Sequence, residues 1–328
     1  MSRSGQGRRA GRLALAGVAA ITLGCRTWPA PVAFDAPMPP WREGDRFAVV
    51  GDTQRTSWLE FWRESNDAER ARVLEAIAEA RPAFLVMTGD LVFNGASAAH
   101  WAELDRLAAP LHAARTPAFA ALGNHEYWGG ASGPERFFAR FPLLEKRRHY
   151  AVAHGPLRFV VLDSNEDEMS AEAWEAQRAW YAATLAGFDR DPAVRGVLVI
   201  AHHAPYTNST VTGDDAAAQR DLAPPFLAAR KTLAMLDGHV HSYERFLRGG
   251  KTFVVSGGGG GPRAALDVRP GRRHPDDLYP KPDEALRPFH FTLFTIGAAG
   301  LDATVMGSPK GGAAFAAMDR FSLPWAAE

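Results

Sequence analysis

Carboxylates, amides and imidazoles recur in this sequence in short clusters, most of them beside glycine: Asp52 and Gln54, Gly89-Asp90, Gly123-Asn124-His125-Glu126, His202-His203, and Gly238-His239-Val240-His241. Together they form the donor set of a site for a borderline divalent or trivalent ion such as zinc, iron or manganese. Residues two apart in extended chain point the same way, so Asp52 with Gln54, and His239 with His241, can each serve one centre. The neighbouring glycines permit tight turns and close backbone approach. The one cysteine, Cys25, lies far from these clusters, which argues against a sulfur-rich structural zinc site.

The clusters follow short apolar runs. Strands are predicted over Phe47–Gly51, Ala83–Thr88, Ala118–Leu122, Phe159–Asp163, Val197–Ala201 and Thr232–Leu236. Glu69–Ala80, Ala98–Leu107 and Ala171–Leu185 carry apolar residues at helical spacing, and further strands are predicted over Thr252–Val255, Phe291–Ile296 and Ala303–Met306. This alternation predicts an α/β layered fold. In an open α/β sheet the carboxyl ends of the strands share one edge, so clusters as distant as Asp52 and His241 can converge there. Asp52 and Asp90 could instead be helix caps, but neither is closely followed by a good amphipathic helix.

Gly51-Asp52-Thr53-Gln54, Gly89-Asp90-Leu91-Val92-Phe93-Asn94-Gly95, Gly123-Asn124-His125-Glu126, His203-Ala204-Pro205 and Gly238-His239-Val240-His241 resemble the ordered motifs of the calcineurin-like metallophosphoesterases. The ending Ser242-Tyr243-Glu244-Arg245 is most similar to the purple acid phosphatase branch, with further echoes at Val161-Leu162-Asp163-Ser164, Gln177-Arg178-Ala179-Trp180 and Val255-Ser256. The resemblance covers about residues 46 to 307. It implies a four-layer α/β/β/α sandwich of two mixed sheets, with two divalent or mixed-valence ions (zinc, manganese or iron) at the strand ends. Asp90 would bridge them; Asp52, Gln54 and His241 would complete one site, and Asn124, His203 and His239 the other. Asn124, His125 and His202 would face substrate, with His125 protonating the leaving oxygen and Glu126 orienting its neighbours. Such a centre hydrolyses a phosphate ester by polarising the phosphoryl oxygens and activating a water, without a protein nucleophile. Two positions depart from the family. Gln54 stands where histidine is usual, and Phe93 replaces the tyrosinate ligand, so no purple Fe(III) colour is expected.

Several residues keep two readings. Trp128, Phe137, Phe138 and Phe141 either line the substrate entrance or pack an insertion, and Tyr206, Thr207 and Asn208 either touch substrate or form a turn. Residues 257–288 read as a long functional loop or a mobile one. Within them, Gly257–Gly261 lacks the Lys-Ser/Thr ending of a phosphate-binding loop and reads as a flexible rim. Arg263, Arg272, Arg273 and His274 read as solvated surface; His100, His112, His149 and His154 read as structural.

The whole chain has 328 residues, 37 basic and 37 acidic, and 46% hydrophobic content, which excludes a disordered chain and a basic nucleic-acid coat. Arg8, Arg9 and Arg12 precede an apolar run, Leu13–Leu23, too short to span a bilayer and suited to a signal segment. Gly24-Cys25 resembles a bacterial lipoprotein site, although Thr22 replaces the usual aliphatic residue; an ordinary signal peptide or short anchor is the other reading. Arg8-Arg9 is also compatible with twin-arginine export. The expected organisation is a signal peptide over 1–24, a lipidated Cys25 with a Pro-rich tether over 25–45, and a metallophosphoesterase domain over 46–328. The expected protein is an exported phosphoesterase anchored in the cell envelope and acting on a small phosphorylated substrate, not long nucleic acid. A phosphodiesterase or nucleotidase with the same centre, and a degenerate binding protein of the envelope, are the alternatives.

Overall fold

The computed structural model describes residues 28–326. The predicted signal segment and Cys25 lie outside the described residues. Strands β1 (Arg46–Val50), β2 (Phe84–Met87) and β3 (Ala118–Ala120) run parallel and are extended by the antiparallel strands β10 (Phe289–Ile296), β11 (Gly300–Ser308) and β12 (Ala316–Pro324) in the order β12-β11-β10-β1-β2-β3. The second sheet has the order β4-β5-β6-β7-β9-β8, formed by β4 (Tyr150–His154), β5 (Leu157–Val161), β6 (Gly196–Ile200), β7 (Thr232–Asp237), β8 (Tyr243–Arg248) and β9 (Lys251–Ser256). In it, β5, β6, β7 and β9 are parallel, and the edge strands β4 and β8 are antiparallel.

The period-two alternation along β6 shows the layering directly. Leu198 and Ile200 enter the core shared with the first sheet, whereas Val197, Val199 and Ala201 enter a core with α5 (Ala171–Arg190) and α6 (Ala223–Ala228). Between the sheets, the Phe159 ring lies edge-on to Phe47, Phe84 and Phe119 at 5.2, 5.4 and 5.3 Å. Burying each such ring contributes about 1.5–3 kcal/mol, so this junction is a main reason the sheets stay closed. On the outer side of the first sheet lie α1 (Asp67–Ala80), whose Val73, Leu74 and Ile77 join its core, α2 (Ala98–Leu107) and α3 (Ala109–Ala113). The architecture is the four-layer α/β/β/α sandwich.

Sequence periodicity did not reveal β4, β8, β12 or α4 (Ser132–Arg140). Part of the Pro-rich stretch also differs from a free tether. Phe34 is buried, its N–H donates to the Arg140 carbonyl at 2.8 Å, and its ring stacks on Phe141 at 5.4 Å. The glycine run is likewise no flexible rim: Gly257–Gly261 is buried beneath the end of β1, with the Gly259 and Gly261 amides donating to the Gly51 and Asp52 carbonyls. A Cβ on Gly258 would sit 2.0 Å from the ring of His290, so only glycine fits beneath that imidazole.

His290 is fully buried, and burial pushes its pKa down to about 4 against a weaker upward pull from the Pro288 carbonyl. Because its folded pKa lies below the ordinary 6.5, the unfolded chain takes up more protons there on acidification. His290 therefore lends stability above about pH 6.5 that is lost as pH falls towards 4. Between pH 7 and 5 this loss is about 2 kcal/mol, and in urea melts a His290→Asn variant should show a pH dependence smaller by that amount.

Candidate metal centre

Every cluster singled out in the sequence sits at the carboxyl end of β1, β2, β3, β6 or β7, on one edge of the sandwich. The backbone has a common device there. Asp52, Asp90, His239 and His241 all have positive φ, at 60°, 54°, 68° and 53°. For side-chain-bearing residues this costs of order 1–3 kcal/mol each and persists only where surrounding contacts enforce it. Close packing supplies one such contact: a Cβ on Gly123 would lie 2.2 Å from Asp90 Oδ1.

Asp52 and Asp90 are both buried. The Asp52 carboxylate accepts the His239 amide at 2.9 and 3.0 Å, tying β1 to the loop after β7. Asp90 accepts the His125 amide at 3.0 Å, and its other oxygen lies 3.3 Å from His202 Nε2 and 3.7 Å from His125 Nε2. His241 Nε2 lies 3.4 Å from Asp52 Oδ1 and 2.8 Å from the Gln54 amide nitrogen, which also lies 3.3 Å from Asp90. The rings of His203 and His239 face each other at 4.5 Å. His203 Nδ1 lies 2.9 Å from the Ser164 hydroxyl, and Asn124 Oδ1 lies 3.2 Å from His202 Nε2.

The charges in this cluster fit a cationic guest. Burial raises the Asp52 carboxyl well above its usual range, with the Asp90 charge adding to it against the pull of His202. For Asp90, burial acts upward too, but His202 and His125 outweigh it and hold the group low. Burial, with repulsion from charged neighbours, lowers His203 and His241 to about 3 and His239 well below its ordinary value. Those three imidazoles are therefore neutral at pH 7 with lone pairs available. His203 and His239 form one triad with His202, and Asp52 and Asp90 form another with the same ring, each with ligand atoms within 4.8 Å of one another.

His202 is where the geometry departs most from the sequence reading. Its ring has no exposed surface, so it cannot be the phosphate contact expected of it. Nδ1 lies 2.9 Å from the Thr88 carbonyl, which turns Nε2 toward Asp90 and Asn124. Burial would lower its pKa, but the Asp90 carboxylate raises it to about 10. Charged at pH 7, it sits beneath the centre and donates hydrogen bonds toward Thr88 and Asp90 instead of offering a lone pair to an ion. Gln54 does reach the centre. Its Oε1 is buried without a hydrogen-bond partner, an acceptor left available for an ion, and a half-turn of the amide would exchange it with the nitrogen beside His241.

Glu126 underlies the whole arrangement. Its carboxylate accepts the amides of Asp90, Leu91 and Gly123 at 2.9, 2.9 and 2.8 Å, locking the loops after β2 and β3 together. Burial and the Asp90 charge raise its pKa to about 7. Glu126→Ala strands three buried donors at about 1–3 kcal/mol each, so chemical unfolding should show a loss of at least about 3 kcal/mol. Deeper support comes from Asp163, which accepts the Tyr127 hydroxyl at 2.5 Å and whose own peptide is clamped on both sides by the Gln177 amide.

His125 lies at the mouth with its side chain 12% exposed. The Phe93 carbonyl, 2.6 Å away, can only accept, so Nδ1 carries a hydrogen and Nε2 is left facing the centre. Trp128 stacks on the ring at 3.7 Å and is itself partly exposed, whereas Phe137, Phe138 and Phe141 are buried packing. Phe93 offers only its ring, edge-on to His125 and Trp128. Thr207 and Asn208 are buried and bound to Glu244, away from solvent. Arg263 pairs with Glu64, and Arg273 and His274 with Asp214. Sequence reasoning missed Arg63, whose guanidinium donates to the Pro262 carbonyl at 2.6 Å and lies 3.4 Å from His241 Nδ1; it stands in an aperiodic segment with no signal to mark it.

The sequence profile of the calcineurin-like phosphoesterases matches residues 45–243, more than half of the chain. The chain belongs to the calcineurin-like phosphoesterase family. Purple acid phosphatase 18 of Arabidopsis thaliana is 26% identical over 228 residues, which are 66% of this chain and 48% of that protein. The chain thus spans about half the length of that curated relative. Purple acid phosphatase PPD1 from yellow lupin seeds has the same fold, with a TM-score of 0.63 at 17% identity, covering 87% of this chain and 55% of that one. GAP50, described as the anchor in the inner membrane complex of Plasmodium, matches equally well, with a TM-score of 0.63 at 13% identity over 88% of this chain and 90% of that one. The same architecture thus occurs in a phosphatase and in an anchor, so fold alone does not fix activity.

Proposed function

We propose that this protein is a metal-dependent phosphoric ester hydrolase, exported and lipid-anchored through Cys25, acting on a small phosphorylated substrate. The observation that carries the catalytic reading is the convergence of buried Asp52 and Asp90 with neutral His203, His239 and His241, several of them held in strained backbone, around one point at the sheet edge. Such a set binds cations and has no evident structural use. In this reading Asp90 would be shared by two ions; Asp52, Gln54 and His241 would hold one, and Asn124, His203 and His239 the other. The contacts of Asp90 with Gln54 and His202, and of His202 with Asn124, support it. Two ions held there would polarise the phosphoryl oxygens and supply an activated water.

The protein's own residues do the rest. Asn124 orients substrate from the loop it shares with His125, and Glu126 fixes that loop by its backbone bonds. His125, steadied by Phe93 and Trp128, presents Nε2 for proton delivery to the leaving oxygen. Exchange of the phosphatase-branch tyrosine for Phe93 removes an anionic ligand, so the loaded protein should be colourless. Steady-state rates on p-nitrophenyl phosphate and its bis ester test the substrate class. Faster turnover of the monoester is expected; faster turnover of the bis ester would select a phosphodiesterase with the same centre.

A further inference from the structure

Trp58, Phe61 and Trp62 are 83%, 86% and 71% exposed, three large aromatic side chains within one short segment. That segment directly follows the end of β1 that carries Asp52 and Gln54, so it projects from the edge bearing the metal centre. It is well anchored at its base. Glu60 accepts the Ser57 amide and pairs with Arg63, both at 3.0 Å, and the Thr56 hydroxyl donates to the Glu64 carbonyl at 2.6 Å. Glu64 pairs with Arg263 at 2.7 Å, while Arg63 reaches the Pro262 carbonyl beside His241. The charged side chains of the segment are therefore spent inward, and what faces outward is apolar.

The path of the N-terminal chain gives this patch a partner. Trp28 lies in a cleft with Ala98 and Ser132, the first residues of α2 and α4, which follow β2 and β3 at the same edge. From there the chain runs past Phe34 against Arg140 to Asp45 at the opposite edge, where β1 begins. The described chain therefore begins at the edge of the metal centre. The sequence before Trp28 holds the apolar run Leu13–Leu23 and Cys25. Cys25 is three residues from Trp28, a reach of about 10 Å in extended chain. An anchor at either place holds this edge against the bilayer. Tryptophan and other large aromatic residues partition to the membrane interface, and exposed apolar patches of this kind mark interaction surfaces.

We infer that the metal-centre edge of the protein faces a lipid bilayer, with Trp58, Phe61 and Trp62 seated in its interface. This rests on the proposed N-terminal anchor but not on the proposed hydrolysis. The test uses the full chain reconstituted in vesicles of phosphatidylethanolamine and phosphatidylglycerol, part of the lipid carrying bromine on shallow acyl carbons. Tryptophan fluorescence of the wild type should be quenched by the brominated lipid. The conservative variant Trp58→Phe/Trp62→Phe should lose the share of that quenching due to Trp58 and Trp62, keeping only that of Trp28 and Trp128 at the same edge, while still floating with the vesicles. Equal quenching in both proteins would overturn the inference, including the case where the patch instead joins two copies of the chain. Failure of the wild type to float would overturn it through the anchor. Hydrolysis of soluble p-nitrophenyl phosphate in the same samples reports separately on the enzymatic reading.

Discussion

Asp90→Asn should lower hydrolysis by about 10⁴-fold, roughly 5.5 kcal/mol of barrier, and should release bound metal with it. The expectation follows from position. The Asp90 side chain faces Gln54 on the side of Asp52 and His241, and His202 and His125 elsewhere in the cluster. Asparagine keeps the size and can still accept the His125 amide, so the loops after β2 and β3 should remain in place. What it removes is the negative charge, and with it the counterweight to His202. Metal content and turnover measured on the same preparation check this. A variant that keeps its metal and most of its activity would show that the centre is not organised around Asp90.

His125→Gln should behave differently. Loss of a general acid costs about 10²–10⁴-fold in kcat, yet bound metal should be unchanged, because the ring contributes no partner to Asp52, His239 or His241. Its links are to the Phe93 carbonyl, the Trp128 ring and, at 3.7 Å, Asp90. The defect should also shrink on esters whose leaving group needs no proton, such as nitrophenyl phosphates, relative to alkyl phosphates. Equal defects on both ester types, or loss of metal, would make His125 a structural or ligand residue instead.

The parallel strands were legible because their burial on both faces produces continuous apolar runs, as in Gly196–Ile200 and Thr232–Asp237. The strands that escaped detection sit at sheet edges or carry polar residues. β4 alternates buried and exposed positions only weakly, β8 contains Glu244 and Arg245, and β12 contains Asp319 and Arg320. Their pairing is set by neighbours, not by their own composition. The same division applies at the centre. Residue type and strand-end placement brought Asp52, Asp90, Asn124, His203, His239 and His241 together on paper.

The ranking of His202 against His203 depended on ring direction, and the Thr88 carbonyl that fixes the His202 ring is contributed by a backbone 114 positions away. Positive φ at the four strand-end residues is equally invisible in sequence, since aspartate and histidine carry no obligatory marker for it. The glycine run was misread for a related reason. Glycine permits flexibility, but here it permits close packing against His290 and the end of β1.

The most direct test of the central claim is metal content by mass spectrometry on the purified protein, paired with p-nitrophenyl phosphate hydrolysis before and after chelation. The two-ion centre predicts about two metal ions per chain, loss of hydrolysis on chelation and its return on reloading with zinc, manganese or iron. A folded protein that binds none of these ions and stays inactive after reloading would contradict it, and would make the clustered carboxylates and imidazoles the remnant of a site in a binding protein.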